Sequence, residues 1–195
     1  LVVHPAAGNW SGTLLNGLLH YLPFSKGLPR AGIVHRLDKN TTGLMVIAKD
    51  EVSQNHLVRQ LQSKKVKREY RAIVWGQVWK NKSISQPIGR HPRVRVKMAV
   101  NKINGKDSIT HYEVLERFGM NSYLRCNLET GRTHQIRVHM QFNESPIVGD
   151  PVYGLKKIIP TKSMSPNLKK ATLEFDRQAL HAIALGLIHP FTHEP

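Results

Sequence analysis

Gly32-Ile33-Val34-His35-Arg36-Leu37-Asp38-Lys39-Asn40-Thr41-Thr42-Gly43-Leu44-Met45-Val46-Ile47-Ala48 sets a charged, polar loop between two apolar pieces. Ile33-Val34 leads in, and Leu44 to Ala48 leads out and reads as a buried strand. A loop placed this way presents its side chains at the end of a sheet. Loops held by rigid elements are favoured places for catalysis. Asp38 has two readings there. It caps the turn by bonding the amides near Asn40 or Thr41, or it is a carboxylate held out for chemistry.

Further along, Asp50 is placed to cap a helix from Glu51 to about Lys65, with Val52, Leu57, Val58 and Leu61 as its apolar stripe. Glu69 to Val78 alternates as a strand does. Lys80 to Lys106 is rich in Pro, Gly and base, with short extended pieces such as Val94 to Val100. Ile109 to Glu116 and Tyr123 to Leu128 read as two more strands. Thr130-Gly131-Arg132-Thr133 turns into a short helix, His134 to Phe142, with Thr133 as its N-cap. Pro146 to Tyr153 reads as loop and strand, and Lys156 to Lys170 as a polar, Pro-containing insertion. Arg177 to His189 carries Leu180, Ile183, Ala184 and Leu187 at helical spacing, so a helix ended by Pro190 is expected. Strands and helices mix without regular βαβ alternation, which predicts an α+β domain.

The chain has 195 residues, 40% of them hydrophobic, enough for one globular domain or two small ones. No apolar run is long enough to cross a bilayer, and no signal peptide opens the chain. It begins at Leu1 rather than Met and ends at Phe191-Thr192-His193-Glu194-Pro195, as a piece of a longer chain would. The single cysteine, Cys126, lies on the apolar face of its strand with Leu124 and Leu128 and reads as core. A lone cysteine makes no internal disulfide, which fits a reducing, cytoplasmic setting.

Charge gives the first functional pointer. Lys and Arg number 29 against 13 Asp and Glu, a formal net charge of +16. Between Glu69 and Asp107 no acidic residue occurs, while Arg90, Arg93, Arg95 and Lys97 crowd one short stretch. Such a run is either a solvated face or a surface for a polyanion. The uncompensated excess favours nucleic acid.

A second candidate site is Gly131-Arg132-Thr133-His134-Gln135-Ile136-Arg137. A helix N-terminus bearing Arg132 and Arg137 suits an anion by dipole and charge. The plainer reading is a surface helix with solvated arginines. Zinc does not fit His134 and His139, which five residues apart do not share a helix face and have no cysteine pair to complete a set. Phosphate loops, dinucleotide fingerprints and serine-hydrolase elbows are missing from the sequence, so no cofactor or metal is called for.

Gly32 to Leu44 closely resembles the signature of the pseudouridine synthases that modify bases within RNA stem-loops. Four further stretches match in order: Arg68-Glu69-Tyr70, Thr130 to Met140, Pro146 to Gly154, and Arg177-Gln178-Ala179-Leu180-His181-Ala182. Within that family the chain looks most like the bacterial branch acting on large-subunit ribosomal RNA, and Arg90-His91-Pro92 supports this. The resemblance implies a mixed, mainly antiparallel sheet flanked by helices and loops. It implies one catalytic domain over residues 1–195, without the N-terminal S4-type RNA-binding domain and final strand of such enzymes.

It also implies roles. Asp38 is the catalytic carboxylate, by attack on carbon or by removal of a sugar proton. Arg137 is its basic partner, keeping it ionised. Tyr70 stacks on the target uracil and is a candidate for late proton removal. Arg36 takes the place of the flipped base, and Leu180 lines the uracil pocket. His35, Arg132 and the basic set Arg90, Arg93, Arg95 and Lys97 complete the RNA contacts. The implied partner is a 23S stem-loop or the assembling large ribosomal subunit, met by a cytoplasmic monomer with no membrane contact and no nucleotide cofactor. Transfer RNA as substrate, or an idle RNA-binding or ribosome-assembly module, are the competing readings.

Overall fold

The computed structural model describes residues 2–155 and 164–195. The chain divides into two compact units, Leu1–Lys67 with Ala184–Pro195, and Arg68–Ile183.

In the first unit, α1 (Leu14–Tyr21) opens on a capping box. The Thr13 hydroxyl accepts from the Asn16 amide, and the Asn16 side chain accepts from the Thr13 amide. The strand expected over Leu44–Ala48 does not form. Only β1 (Thr42–Gly43) is regular, Ile47 makes a single bridge to Ile33, and Leu44 is 53% exposed. The apolar run contributes Ala48 to the core and otherwise lies part-covered.

Helix α2 (Glu51–Gln62) starts where expected, with the Asp50 carboxylate accepting from the Ser53 amide at 2.8 Å. Its buried face differs from the expected stripe, since Ser53, Gln54, Leu57 and Gln60 are covered while Val52 is exposed. Gln60 explains this choice. Its amide donates to the Ile188 carbonyl and accepts the Ile188 N–H, both at 2.8 Å, stitching the C-terminal segment to the helix as a strand would.

The second unit is built on a sheet. β2 (Lys67–Trp75), β3 (Lys82–Ser85), β4 (Ile88–Arg90), β5 (Met98–Val100), β6 (Ile109–Phe118), β7 (Asn121–Leu128) and β8 (Leu180–Gly186) follow in chain order. Five of them lie side by side as β8-β2-β7-β6-β3, and β4 and β5 make a separate hairpin. The β2–β7, β6–β7, β3–β6 and β4–β5 pairs are antiparallel. Tyr70 stands opposite Cys126 and Val74 opposite Ser122. Pro146 to Tyr153, expected to include a strand, supplies only a bridge from Ile147 to Val74.

Residues 180–186 form a strand, not the helix expected over Arg177–His189. Leu180 and Ala182 are buried while His181 and Ile183 are exposed, a period of two. A short apolar run satisfies both periods, and an open sheet position beside β2 decided between them by giving the backbone partners.

One sheet face carries Ala72, Val74, Leu124, Cys126 and Leu180, and α3 (Gln135–Phe142) adds Ile136 and Met140 to this core. Val138, on the other side of α3, packs with Ile88 and Tyr153 beneath the β4–β5 hairpin. The helix is therefore enclosed from Gln135 to Met140, and a surface helix with solvated arginines is ruled out. Thr133 is not its cap. His134 holds that position in a left-handed conformation and makes no side-chain cap bond.

Gln135 organises the helix start instead. Its carbonyl accepts from the Thr130 hydroxyl (2.7 Å) and the Arg132 amide (3.0 Å), and its NH₂ donates to Ile109 O and the hydroxyl of Thr110. Of the insertion expected over 156–170, residues 156–163 lie outside the described residues, and α4 (Pro166–Leu173) follows, capped by Ser165.

Candidate active site

The Asp38 loop begins at an unusual turn. Arg30, Ala31 and Gly32 all have positive φ, of 54°, 52° and 80°. For the two non-glycine residues this is strained backbone, of a kind that gathers at functional sites. Gly32 is required for a second reason, since a Cβ there would lie 2.0 Å from the Ala48 carbonyl oxygen. That close approach lets the Ala48 amide donate to Gly32 O at 2.9 Å.

Beyond the turn the chain runs extended. Leu37 is buried, Arg36 is exposed and Asp38 is half-buried. His35 Nε2 accepts the Val46 N–H at 3.0 Å, which puts its proton on Nδ1 and ties the two arms of the loop together. The turn after Asp38 is closed by main chain, the Thr41 amide donating to the Asp38 carbonyl at 3.0 Å, with Asn40 in the left-handed region that asparagine tolerates. Burial, with Arg30 and Arg36 close by, holds His4 below the ordinary imidazole range.

In the second unit Arg137 is 4% exposed and held as a fork. Its Nε donates to Asp150 Oδ2 at 2.7 Å and its Nη2 to Asp150 Oδ1 at 2.9 Å. Asp150 Oδ1 also accepts the amides of Val152 and Tyr153, each at 2.9 Å. Burial alone would push this carboxyl up, but the bonds from Arg137, Tyr153 and Val152 outweigh it and hold Asp150 below the usual carboxylate range. The Tyr153 ring covers the guanidinium, 4.9 Å from ring centre to its carbon. The Tyr153 hydroxyl accepts the Met98 N–H and lies 2.8 Å from His134 Nδ1.

Sequence reading assigned neither Asp150 nor Tyr153 a role, although both stand in a matching stretch. The available signal was local: an aspartate followed two and three residues on by amides it can collect, between Gly149 and Gly154. The pairing with Arg137, thirteen positions away in the chain, had no such signal.

Tyr70 and Leu180 are brought onto the same apolar core face, Leu180 as a buried member and Tyr70 packed half-covered against it. Arg132 is half-buried and donates from Nε to the Asp107 carbonyl at 3.1 Å. The basic residues are not equivalent. Arg93 and Arg95 are exposed at the tip of the β4–β5 hairpin. Arg90 braces that tip by donating to Arg95 O at 3.0 Å, and Lys97 is turned inward to Val152 O at 2.8 Å. His139 is fully buried between the Thr110 hydroxyl and Gln86 O, a structural position, which with the His134–Tyr153 contact places the two histidines in separate networks.

The chain belongs to the RNA pseudouridylate synthase family, which matches residues 1–142. Among its relatives, the Ribosomal large subunit pseudouridine synthase D of Neisseria meningitidis serogroup B is 55% identical over all 195 residues, which cover 51% of that protein. The protein of the same name from Escherichia coli K12 is 52% identical over 98% of this chain and 58% of its own length. The chain thus spans between half and three-fifths of these relatives. Two human structures share the fold: RNA Pseudouridylate Synthase Domain Containing 1 (TM-score 0.69, 27% identity, 89% of this chain and 68% of that one) and Domain Containing 4 (TM-score 0.62, 27% identity, 78% and 65%).

Proposed function

We propose that this chain is the catalytic part of an enzyme that converts uridines to pseudouridine in large-subunit ribosomal RNA. The reading is carried by one observation. The segment His35–Asp38 falls within the family match and sits on a strained, pinned loop whose turn is closed by main-chain bonds. Relatives above half identity, named for the large ribosomal subunit, support the substrate.

Asp38 acts on a uridine turned out of its helix, since the base is out of reach while stacked. The bond from sugar to N1 breaks, the uracil turns, and a bond from sugar to C5 forms, with the C5 proton lost at the end. No redox partner is needed. Arg137 serves as the basic partner in the reaction, and Tyr70 stacks on the uracil beside Leu180. Arg36, exposed at the loop, fills the space the base left, its planar guanidinium suiting stacking and phosphate contact together. His35, Arg132, Arg90, Arg93, Arg95 and Lys97 contribute RNA contacts that position rather than specify. The setting is the cytoplasm, and the protein acts as a monomer. Among the described residues no helix is long and apolar enough to cross a membrane.

The test is to incubate the full-length protein with 23S and transfer RNA and map pseudouridine in each. Conversion in 23S is expected. Conversion in transfer RNA only would move the substrate, and none in either would favour a binding module. Asp38→Asn should abolish turnover while RNA affinity stays near that of the unaltered protein.

A further inference from the structure

We propose that Asp150 is a positioning residue for this reaction, setting the plane in which Arg137 presents its guanidinium. The inference rests on the reading of Arg137 as the partner of the reacting carboxylate.

Arg137 is gripped along one edge and one face. Asp150 takes Nε and Nη2, and the Tyr153 ring lies over the plane. The grip is itself anchored. Rotating the Asp150 carboxylate would break the bonds from the Val152 and Tyr153 amides, and the turn that carries them is closely packed at both of its glycines. A Cβ on Gly149 would lie 2.2 Å from Arg177 O, and one on Gly154 would lie 2.3 Å from Asp150 O. Tyr153 is fixed in turn through its hydroxyl, on Met98 N and His134. A guanidinium with two of its nitrogens committed this way has the direction of Nη1 dictated by Asp150.

A second consequence separates positioning from mere charge balance. Asp150 offsets the charge of Arg137. If balance were its whole role, Asp150→Asn would leave the charge of Arg137 uncompensated and move the acid limb of the rate profile to lower pH. If Asp150 positions Arg137, the same variant lets the fork swing, kcat falls, and the acid limb moves to higher pH, as loss of Arg137 would do.

The experiment measures kcat, KM and the pH–rate profile of full-length Asp150→Asn and Arg137→Lys on 23S RNA, with thermal melts of each. The lysine variant keeps the charge and loses the fork. For both, kcat should fall ~100-fold with KM near the unaltered value, the scale set by a misplacement of about an ångström. A kcat within about twofold of the unaltered protein, or an acid limb moving down in Asp150→Asn, overturns the proposal. If Asp150→Asn melts early, the Arg137 Nε–H exchange, read at a temperature where the variant is folded, decides.

NMR of the arginine Nε–H signals separates this from failure of the functional reading. The Arg137 signal, identified by its loss in Arg137→Lys, should exchange slowly in the unaltered protein and fast in Asp150→Asn. Equal exchange in both overturns the proposal even for a protein that makes no pseudouridine. Absence of pseudouridine with the expected exchange rejects the functional reading alone.

Discussion

Arg137 and His139 lie two positions apart on one enclosed helix and answer to pH in different ways. Arg137 bears on the proposed activity. If it is the basic partner of the reacting group, as proposed, Arg137→Ala should lower the rate and raise the pH at which activity appears. An unchanged pH–rate profile would remove Arg137 from this role. His139 bears on stability. Burial lowers its pKa, only partly opposed by Gln86 O, so the folded protein keeps the ring neutral where the unfolded chain already binds a proton. Unfolded chains thus bind more protons below the ordinary imidazole value of about 6.5, and stability falls as pH drops through it toward the lowered native value. His139→Gln should flatten that slope, as read from urea midpoints between neutral pH and about pH 5.

Helix α3 depends on one side chain at its start more than on its propensity. Gln135 is 3% exposed and makes four bonds, to Thr130, Arg132, Ile109 and Thr110. Leucine of similar size would fill the space and leave those partners unmet. Gln135→Leu should therefore cost about 2–4 kcal/mol in urea unfolding, in the range expected for stranding buried polar groups. A loss under about 0.5 kcal/mol would mean that water replaces the amide. Strand β8 and helix α2 follow the same logic, as backbone or amide partners supplied from elsewhere overrode the apolar spacing of each segment.

The charge excess acts over the protein as a collective term. Nucleic acid binding that releases counterions weakens linearly on a log–log salt plot. Each phosphate neutralised on a single strand adds ~0.7 to the slope, so replacing Arg90, Arg93 and Arg95 together by alanine should make it shallower by about 2. An unaltered slope would place the RNA elsewhere on the surface. Arg93 and Arg95 should account for most of this, because Arg90 is engaged with Arg95 O and Lys97 with Val152 O.

Much of this was legible along the chain. The Asp38 loop, the α2 cap at Asp50, strands β2, β6 and β7 and the core position of Cys126 follow from rules that act over a few neighbours: turn chemistry, capping and alternation. The basic stretch is also a property of composition. Other features needed the folded chain. Residues 180–186 became a strand because a place beside β2 was open, and residues 44–48 stayed irregular because Gly32 and His35 took their amides singly. Arg137 found Asp150 thirteen residues away, and Gln135 found the Ile109 carbonyl twenty-six residues away. The Asp38 loop belongs to both groups. Its residues could be read as a site from turn chemistry alone, whereas the bond from the Val46 amide to His35 came from the folded chain, because it joins groups eleven residues apart.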